Sequence, residues 1–244
     1  MYLKIDLSTI SAGLSHQKSN LVEIIKYCYD NNLKLIKPIF TLTGNHNKGK
    51  TLRCDLSKYY DLNSITVDGM KFKMYDDNPE NEYTIKKKRY KYGLLRNDPI
   101  FSKTSKKPYK IVIQYRQDII DIARSISSQL GNYMCIHVRR GDRKKNKQID
   151  KDTQADNIIN IIHQHKPEKV YIMTNRMNEL AKLKEDKKIL FYNNFNCLTT
   201  IIDNYYLFCI ENNIMKSAKI RCSTFNTPDK TFYHCFLTDS PGWQ

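Results

Sequence analysis

The feature that most constrains this chain is an alternation of strand-like and helix-like segments through its second half. Ile119, Ile120, Ile122, Ala123, Ile126 and Leu130 recur at helical spacing, Gly131 can end that helix, and Tyr133 to Val138 comes next as an apolar strand. Ala155, Ile158, Ile159, Ile161 and Ile162 mark a second helix before the strand Lys169 to Thr174. A helix through Leu180 and Leu183 leads to Ile189 to Tyr192, and a last helix from about Cys197 to Lys216 leads to Lys219 to Phe225. Strands that alternate with helices pair in parallel through right-handed crossovers, so this half predicts a parallel sheet.

Open α/β sheets bind ligands at the carboxyl ends of their strands. Three such ends here carry polar residues: His137-Val-Arg139-Arg140-Gly141-Asp142, Thr174-Asn175-Arg176 and Ser223-Thr224-Phe225. Two guanidiniums offer forked donors suited to a diphosphate; Gly141 permits a tight turn, and Asp142 can orient an arginine or cap the next helix. A lone Arg-Arg-Gly-Asp also fits a charged surface turn. Three polar ends brought side by side fit a shared anion or nucleotide pocket better.

The first half opens as a βαβ unit. Tyr2 to Leu7 reads as a short strand, Ser8 to Gln17 as a loop, Leu21, Ile24, Ile25 and Cys28 as one face of a helix, and Leu33 to Pro38 as a second strand. From Thr41 to Lys110 no period is sustained, which predicts short elements and long loops. Pro99, Pro108 and the basic run around them suggest a linker, and hence two halves, 1–112 and 113–244.

The formal charge of +16, from 41 basic and 25 acidic residues, calls for an anionic partner. Much of the excess lies between Thr84 and Lys110, where a solvated basic loop is the plain alternative. The cysteines are seven, an odd number, and form no Cys-x-x-Cys pair, which suits buried free thiols. With no secretory leader at the start and no membrane-length apolar run, the expected setting is soluble and cytoplasmic. No metal site is expected: His163-Gln-His165 lacks convergent carboxylates, and Asp150-Lys-Asp152 comes after a lysine run and before a helix, where capping explains it.

Ala12-Gly13-Leu-Ser-His16-Gln17 resembles the Gly-Gly-x-Gly-Asn-Gln loop that opens fucosyltransferases of the protein O-fucosyltransferase and α1,2-fucosyltransferase type. His137-Val-Arg139-Arg140-Gly141-Asp142 resembles their His-x-Arg-x-Gly-Asp motif, Val170 to Asn175 their Tyr-x-x-Thr-Asp/Asn strand, and Ser223-Thr224-Phe225 their third motif. Order and spacing agree over nearly the whole chain.

The resemblance implies an α/β protein of GT-B type, two Rossmann-like halves facing a cleft. It implies an inverting, metal-independent glycosyltransferase that takes fucose from GDP-fucose to a protein or glycan hydroxyl, with no cofactor. The carboxyl half would hold the donor and the amino half shape the acceptor side. Arg139 would bind the diphosphate as the central catalytic residue, with His137, Arg140, Gly141, Asp142, Gly13, Thr174, Asn175, Ser223, Thr224 and Phe225 in donor binding. Asp203 would contact the guanine, although a helix cap is the plainer reading of this residue. His16 stands where the family has asparagine, and could be the catalytic base or simply a hydrogen-bonding loop residue.

Two other functions fit parts of the sequence. A basic nucleic-acid binder accounts for the charge, but no RNA-binding strand motif is present and the arginines fall at strand ends rather than along one face. A non-catalytic nucleotide-binding module accounts for the short chain and for His16.

Overall fold

The computed structural model describes the chain outside residues 45–48, 77–81, 87–94, 104–107, 141–146, 224–233 and 238–244. Two compact units divide it: Met1–Gln117 with Asp203–Tyr206, and Asp118–Ile202 with Leu207–Gln244. The division falls after Gln117 rather than after residue 112, and one short later segment goes with the first unit.

In the first unit β1 spans Tyr2–Ala12 and α1 (Leu14–Asp30) begins after Gly13 alone, so the expected loop over Ser8 to Gln17 is strand and helix. The cause is a break in the alternation. Leu3, Ile5 and Leu7 are buried, Ser8 and Thr9 are both exposed, and Ile10 and Ala12 resume the buried face. Irregular pairing with β3 between Asp6 and Ser11 absorbs this phase slip, as a bulge does. Two exposed polar residues in succession erase the period-two signal, and the strand reads as a loop.

The strands β2 (Lys34–Ile36) and β3 (Ile39–Leu42) pair with β1 in parallel, in registers such as Tyr2↔Lys34 and Ser11↔Thr41. Antiparallel to β3 runs β4 (Leu52–Cys54). A small antiparallel sheet joins β5 (Thr66–Val67), β6 (Met70–Lys71) and a strand at Ile111–Val112, while β7 (Met74–Tyr75) and β8 (Glu82–Lys86) extend the main sheet in parallel. We label the Ile111–Val112 strand β9.

From α1, the residues Leu21, Ile24, Ile25 and Cys28 are wholly buried. Each large aliphatic so placed contributes about 1.5–3 kcal/mol of transfer free energy. Pro99 opens α2 (Pro99–Ser102), with the Asp98 carboxylate accepting from the Ile100 N–H at 2.7 Å. Phe101 is buried with its ring 5.3 Å from that of Tyr27 on α1. Pro99 therefore begins a packed helix and is no linker.

The second unit keeps closely to the predicted alternation. It comprises α3 (Gln117–Leu130), β10 (Tyr133–Val138), α4 (Lys147–Asp152), α5 (Ala155–His165), β11 (Lys169–Thr174), a 3-10 segment Met177–Glu185 and β12 (Ile189–Leu190). After these come α6 (Asn196–Thr199), α7 (Asn204–Ser217), β13 (Ile220–Ser223) and β14 (His234–Leu237). Gly131 ends α3 with φ +69°, a left-handed conformation that glycine adopts without strain. The single helix expected over 197–216 is broken at Thr200–Asp203, because Asp203 caps a new start.

The sheet order is β12-β11-β10-β13-β14, parallel except for β14, which pairs antiparallel with β13 and has no counterpart in the sequence pattern. Its core joins Met134, Ile136 and Val138 to Ile158 and Ile162 of α5 and to Val170 and Ile172 of β11. Cys28, Cys54, Cys135, Cys197 and Cys209 are free, as expected, whereas Cys222 is disulfide-bonded. Its ladder neighbour on β14 is Cys235. Among the described residues no helix is long and apolar enough to cross a membrane.

Candidate functional site

In the second unit β10 is flanked on both edges by parallel strands whose registers align their carboxyl ends. Val138 lies opposite Thr174 of β11, and His137 lies opposite Ser223 of β13. Neighbouring strands lie about 4.8 Å apart, so the three ends named from the sequence form one continuous polar edge. Gly141, Asp142, Thr224 and Phe225, four of the expected site residues, lie outside the described residues.

At this edge Arg139 and His137 are each half-buried. Burial pushes the His137 imidazole down to about 4, and the charge of Arg139 pushes the same way. At neutral pH His137 is therefore uncharged and serves as a hydrogen-bonding group rather than a cation. Thr174 is half-buried and its hydroxyl accepts the Arg176 N–H at 3.2 Å, while Asn175 is exposed. Ser223 is buried at the tip of β13.

Arg140 does something different from its neighbour. Its side chain is 4% exposed, and all three guanidinium nitrogens donate inward. Nε bonds Glu179 Oε2 at 2.8 Å, Nη2 bonds Asp150 Oδ1 at 2.5 Å, and Nη1 bonds the Thr153 carbonyl at 2.5 Å and its hydroxyl at 2.8 Å. Thr153 is itself fully buried. The expectation that Arg140 stands open to donor phosphate gives way to this arrangement: the fork ties α4 and the 3-10 segment to the end of β10. Asp150, one half of the Asp-x-Asp pattern, is spent on this anchor.

In the first unit, Gly13 is the N-cap residue of α1 with φ −68°, so no left-handed conformation requires glycine there. His16 is exposed on the first turn. Gln17 beside it is fully buried: its Nε2 donates to the Ile10 carbonyl at 3.0 Å and the Thr41 carbonyl at 2.8 Å, and its Oε1 accepts from Asn20 at 2.9 Å. That amide fastens α1 to β1 and β3.

Asp203 is a helix cap. Its Oδ1 accepts the N–H groups of Tyr205 at 2.9 Å and Tyr206 at 3.3 Å, while Oδ2 faces Lys58 at 2.6 Å and Tyr59 Oη at 3.0 Å. Burial would raise this carboxyl, but the bonds from Lys58 and Tyr59 and from the backbone outweigh it and hold it below its usual range. Both oxygens are thus engaged within the first unit.

Two acids matter here that the strand and helix periods do not single out. Glu211 on α7 accepts from Tyr171 Oη at 2.8 Å, and burial pushes it up to about 8 against the lowering effect of that bond. Glu179 sits three residues after Arg176 and links it to Arg140; its helical i,i+3 spacing from Arg176 is the one hint that sequence offers. Among the described residues no group of three or more His, Cys, Asp or Glu side chains could hold a metal ion.

Two α/β units, each with a largely parallel sheet, and in the second an aligned edge of polar strand tips, define the GT-B type of architecture. No protein-family model matches the chain, and no curated protein does. Among solved structures it resembles the NodZ α-1,6-fucosyltransferase soaked with GDP-fucose, with TM-score 0.53 and 9% identity over 97% of this chain and 99% of that one. It also resembles the fucosyltransferase NodZ from Bradyrhizobium, with TM-score 0.53 and 8% identity over 97% and 98%. A third is POFUT1 in complex with GDP, with TM-score 0.51 and 8% identity over 89% of each chain. At such identities the likeness is one of fold, and the chain has the fold of these fucosyltransferases.

Proposed function

We propose that this chain is an inverting, metal-independent glycosyltransferase that transfers fucose from GDP-fucose to a hydroxyl of a protein or glycan. The observation that carries the reading is the alignment of His137, Thr174 and Ser223 at three adjacent strand tips, with Arg139 next to them and half-exposed. Fucosyltransferases of the same fold have been solved with GDP or GDP-fucose, which supports the choice of nucleotide.

The chemistry asks for a fixed cation at this place. As the anomeric bond breaks, negative charge grows on the departing diphosphate while the sugar gains oxocarbenium character. A guanidinium held near the bridging oxygen stabilises that state more than the bound substrate. Arg139 is the residue in this reading that does so. The uncharged His137 offers a hydrogen bond without competing for the phosphate, and Thr174 and Asn175 fit ribose or phosphate oxygens. Proton removal from the acceptor falls to His16, whose replacement by asparagine is expected to stop transfer and leave GDP binding unchanged. The cytoplasmic setting belongs to the same reading; the five free cysteines support it, and the Cys222 disulfide counts against it.

The test is a thermal-shift panel. GDP and GDP-fucose should raise the melting temperature and UDP-sugars should not, because a ligand that binds only the folded state stabilises it by an amount that grows with the logarithm of its concentration relative to Kd. Stabilisation by UDP-sugars alone, or by none of the nucleotides, would overturn the reading. The departure at His16 favours one alternative, a non-catalytic nucleotide-binding module, which would bind GDP and yet transfer no sugar.

A further inference from the structure

With Arg140 turned inward and all three of its nitrogens engaged, Arg139 is left as the more exposed half of the arginine pair. A nucleoside diphosphate carries more than one negative charge, and its binding is served by a second cation at the same edge. We propose that Arg176 is that cation: a donor-positioning residue that contacts the diphosphate and is held in place, through Glu179, by the buried Arg140.

Arg176 comes after Asn175 directly beyond the tip of β11, whose register with β10 is unbroken from Tyr133↔Lys169 to Val138↔Thr174. Counting past the last pair, Arg176 stands two residues beyond Thr174, as Arg140 stands two residues beyond Val138. The side chain of Arg176 is 54% exposed, so its guanidinium can meet a ligand. Its backbone is pinned by the bond from its N–H to Thr174 Oγ1 at 3.2 Å.

Glu179 makes the arrangement directional. One oxygen, Oε2, accepts from Arg140 Nε at 2.8 Å, and the other, Oε1, lies 4.0 Å from Arg176 Nε. A carboxylate so divided is fixed by the inner, saturated arginine and draws in the Nε side of the outer one. In the proposed contact the terminal Nη groups of Arg176 form the fork to phosphate while its Nε faces Glu179. Arg140, Glu179 and Arg176 thus form a relay from the core of the second unit to its polar edge.

This inference rests on the nucleotide-binding reading, and the experiment separates the two. Binding of GDP, GMP and guanosine is measured by calorimetry on the wild-type chain, Arg176→Ala and Arg176→Lys, with each melting temperature recorded. Arg176→Ala is expected to weaken GDP by about 10-fold or more, the loss of one charge-assisted phosphate contact. It should leave guanosine unchanged and flatten the salt dependence of GDP affinity, and Arg176→Lys should recover part of the loss. Equal GDP affinity in wild type and Arg176→Ala would overturn the proposal and spare the broader reading. Parallel loss of GDP and guanosine would also overturn it, since that marks a structural role. A wild-type chain that binds none of the three removes the nucleotide reading itself.

Discussion

The carboxyl ends of the two main sheets look alike in sequence, both rich in polar side chains, yet they spend those side chains differently. In the first unit they are consumed by the fold: Gln17 is buried between two carbonyls, Asp203 caps a helix and pairs with Lys58, and Tyr205 bonds the carbonyl of Thr43. In the second unit Arg139 and Thr174 remain half-buried and Asn175 and Arg176 exposed, on a sheet whose regular register holds their backbones. What distinguishes a site from a structural joint is therefore how far its polar side chains stay open to solvent at the ends of regularly paired strands. Arg139 and Arg140 repeat the contrast within two consecutive residues.

Four measurements can break or sharpen this comparison. Arg139→Ala should lower transfer by about 100-fold or more with the melting temperature unchanged, the effect of removing one preorganised donor worth about 3 kcal/mol in the transition state. Retained turnover would place the chemistry elsewhere.

Arg140→Ala should instead act on stability. It strands the carboxylates of Asp150 and Glu179 and the buried Thr153, and because both acids are about a third exposed the cost is about 2–3 kcal/mol, read from urea unfolding. Unchanged stability would refute the anchoring role.

Glu211 gives a pH test. Its carboxyl ordinarily titrates at 4.5 and here is raised to about 8, so the folded protein holds this proton more tightly than the unfolded chain. The stabilising contribution is complete below about 4.5, is lost progressively as pH rises to about 8, and is constant above. His137, depressed to about 4, adds an opposite slope below about 6.5, so the fall due to Glu211 stands alone between about 6.5 and 8; Glu211→Gln should remove it there, since the amide keeps a partner for Tyr171 and cannot ionise. Cys135 and Tyr171, both raised by burial and further by the charge of Glu211, titrate above this window.

The smallest effect belongs to Asp203→Ala, which removes a helix cap and a half-exposed ion pair and should cost about 1–2 kcal/mol. The variant should bind GDP as tightly as wild type if the cap is its whole role; a selective loss of GDP over UDP would restore the guanine contact expected from the sequence.

How much of the molecule is legible in its sequence differs by region for physical reasons. The second unit is legible because Ile119 to Leu130 and Tyr133 to Val138 each show a single clean period, and Gly131 falls where a helix must end. The position of the strand tips is a consequence of the topology of parallel sheets. The bulged half of β1 is not legible, since its polar residues break the alternation that announces a strand. Nor is the fate of Arg140, because Glu179, Asp150 and Thr153 are separated from it in sequence and meet it only after α4 and β11 are in place. Pro99 misleads because proline opens a helix as readily as it breaks one.

The joint made by Gln17 carries a chemical liability. Its amide nitrogen is the donor to two main-chain oxygens, and a Gln17→Glu change would leave at most one acid proton for the two of them. A swap of one heavy atom, invisible to any comparison of size or shape, would drive the start of α1 off its seat and carry the neighbouring imidazole with it.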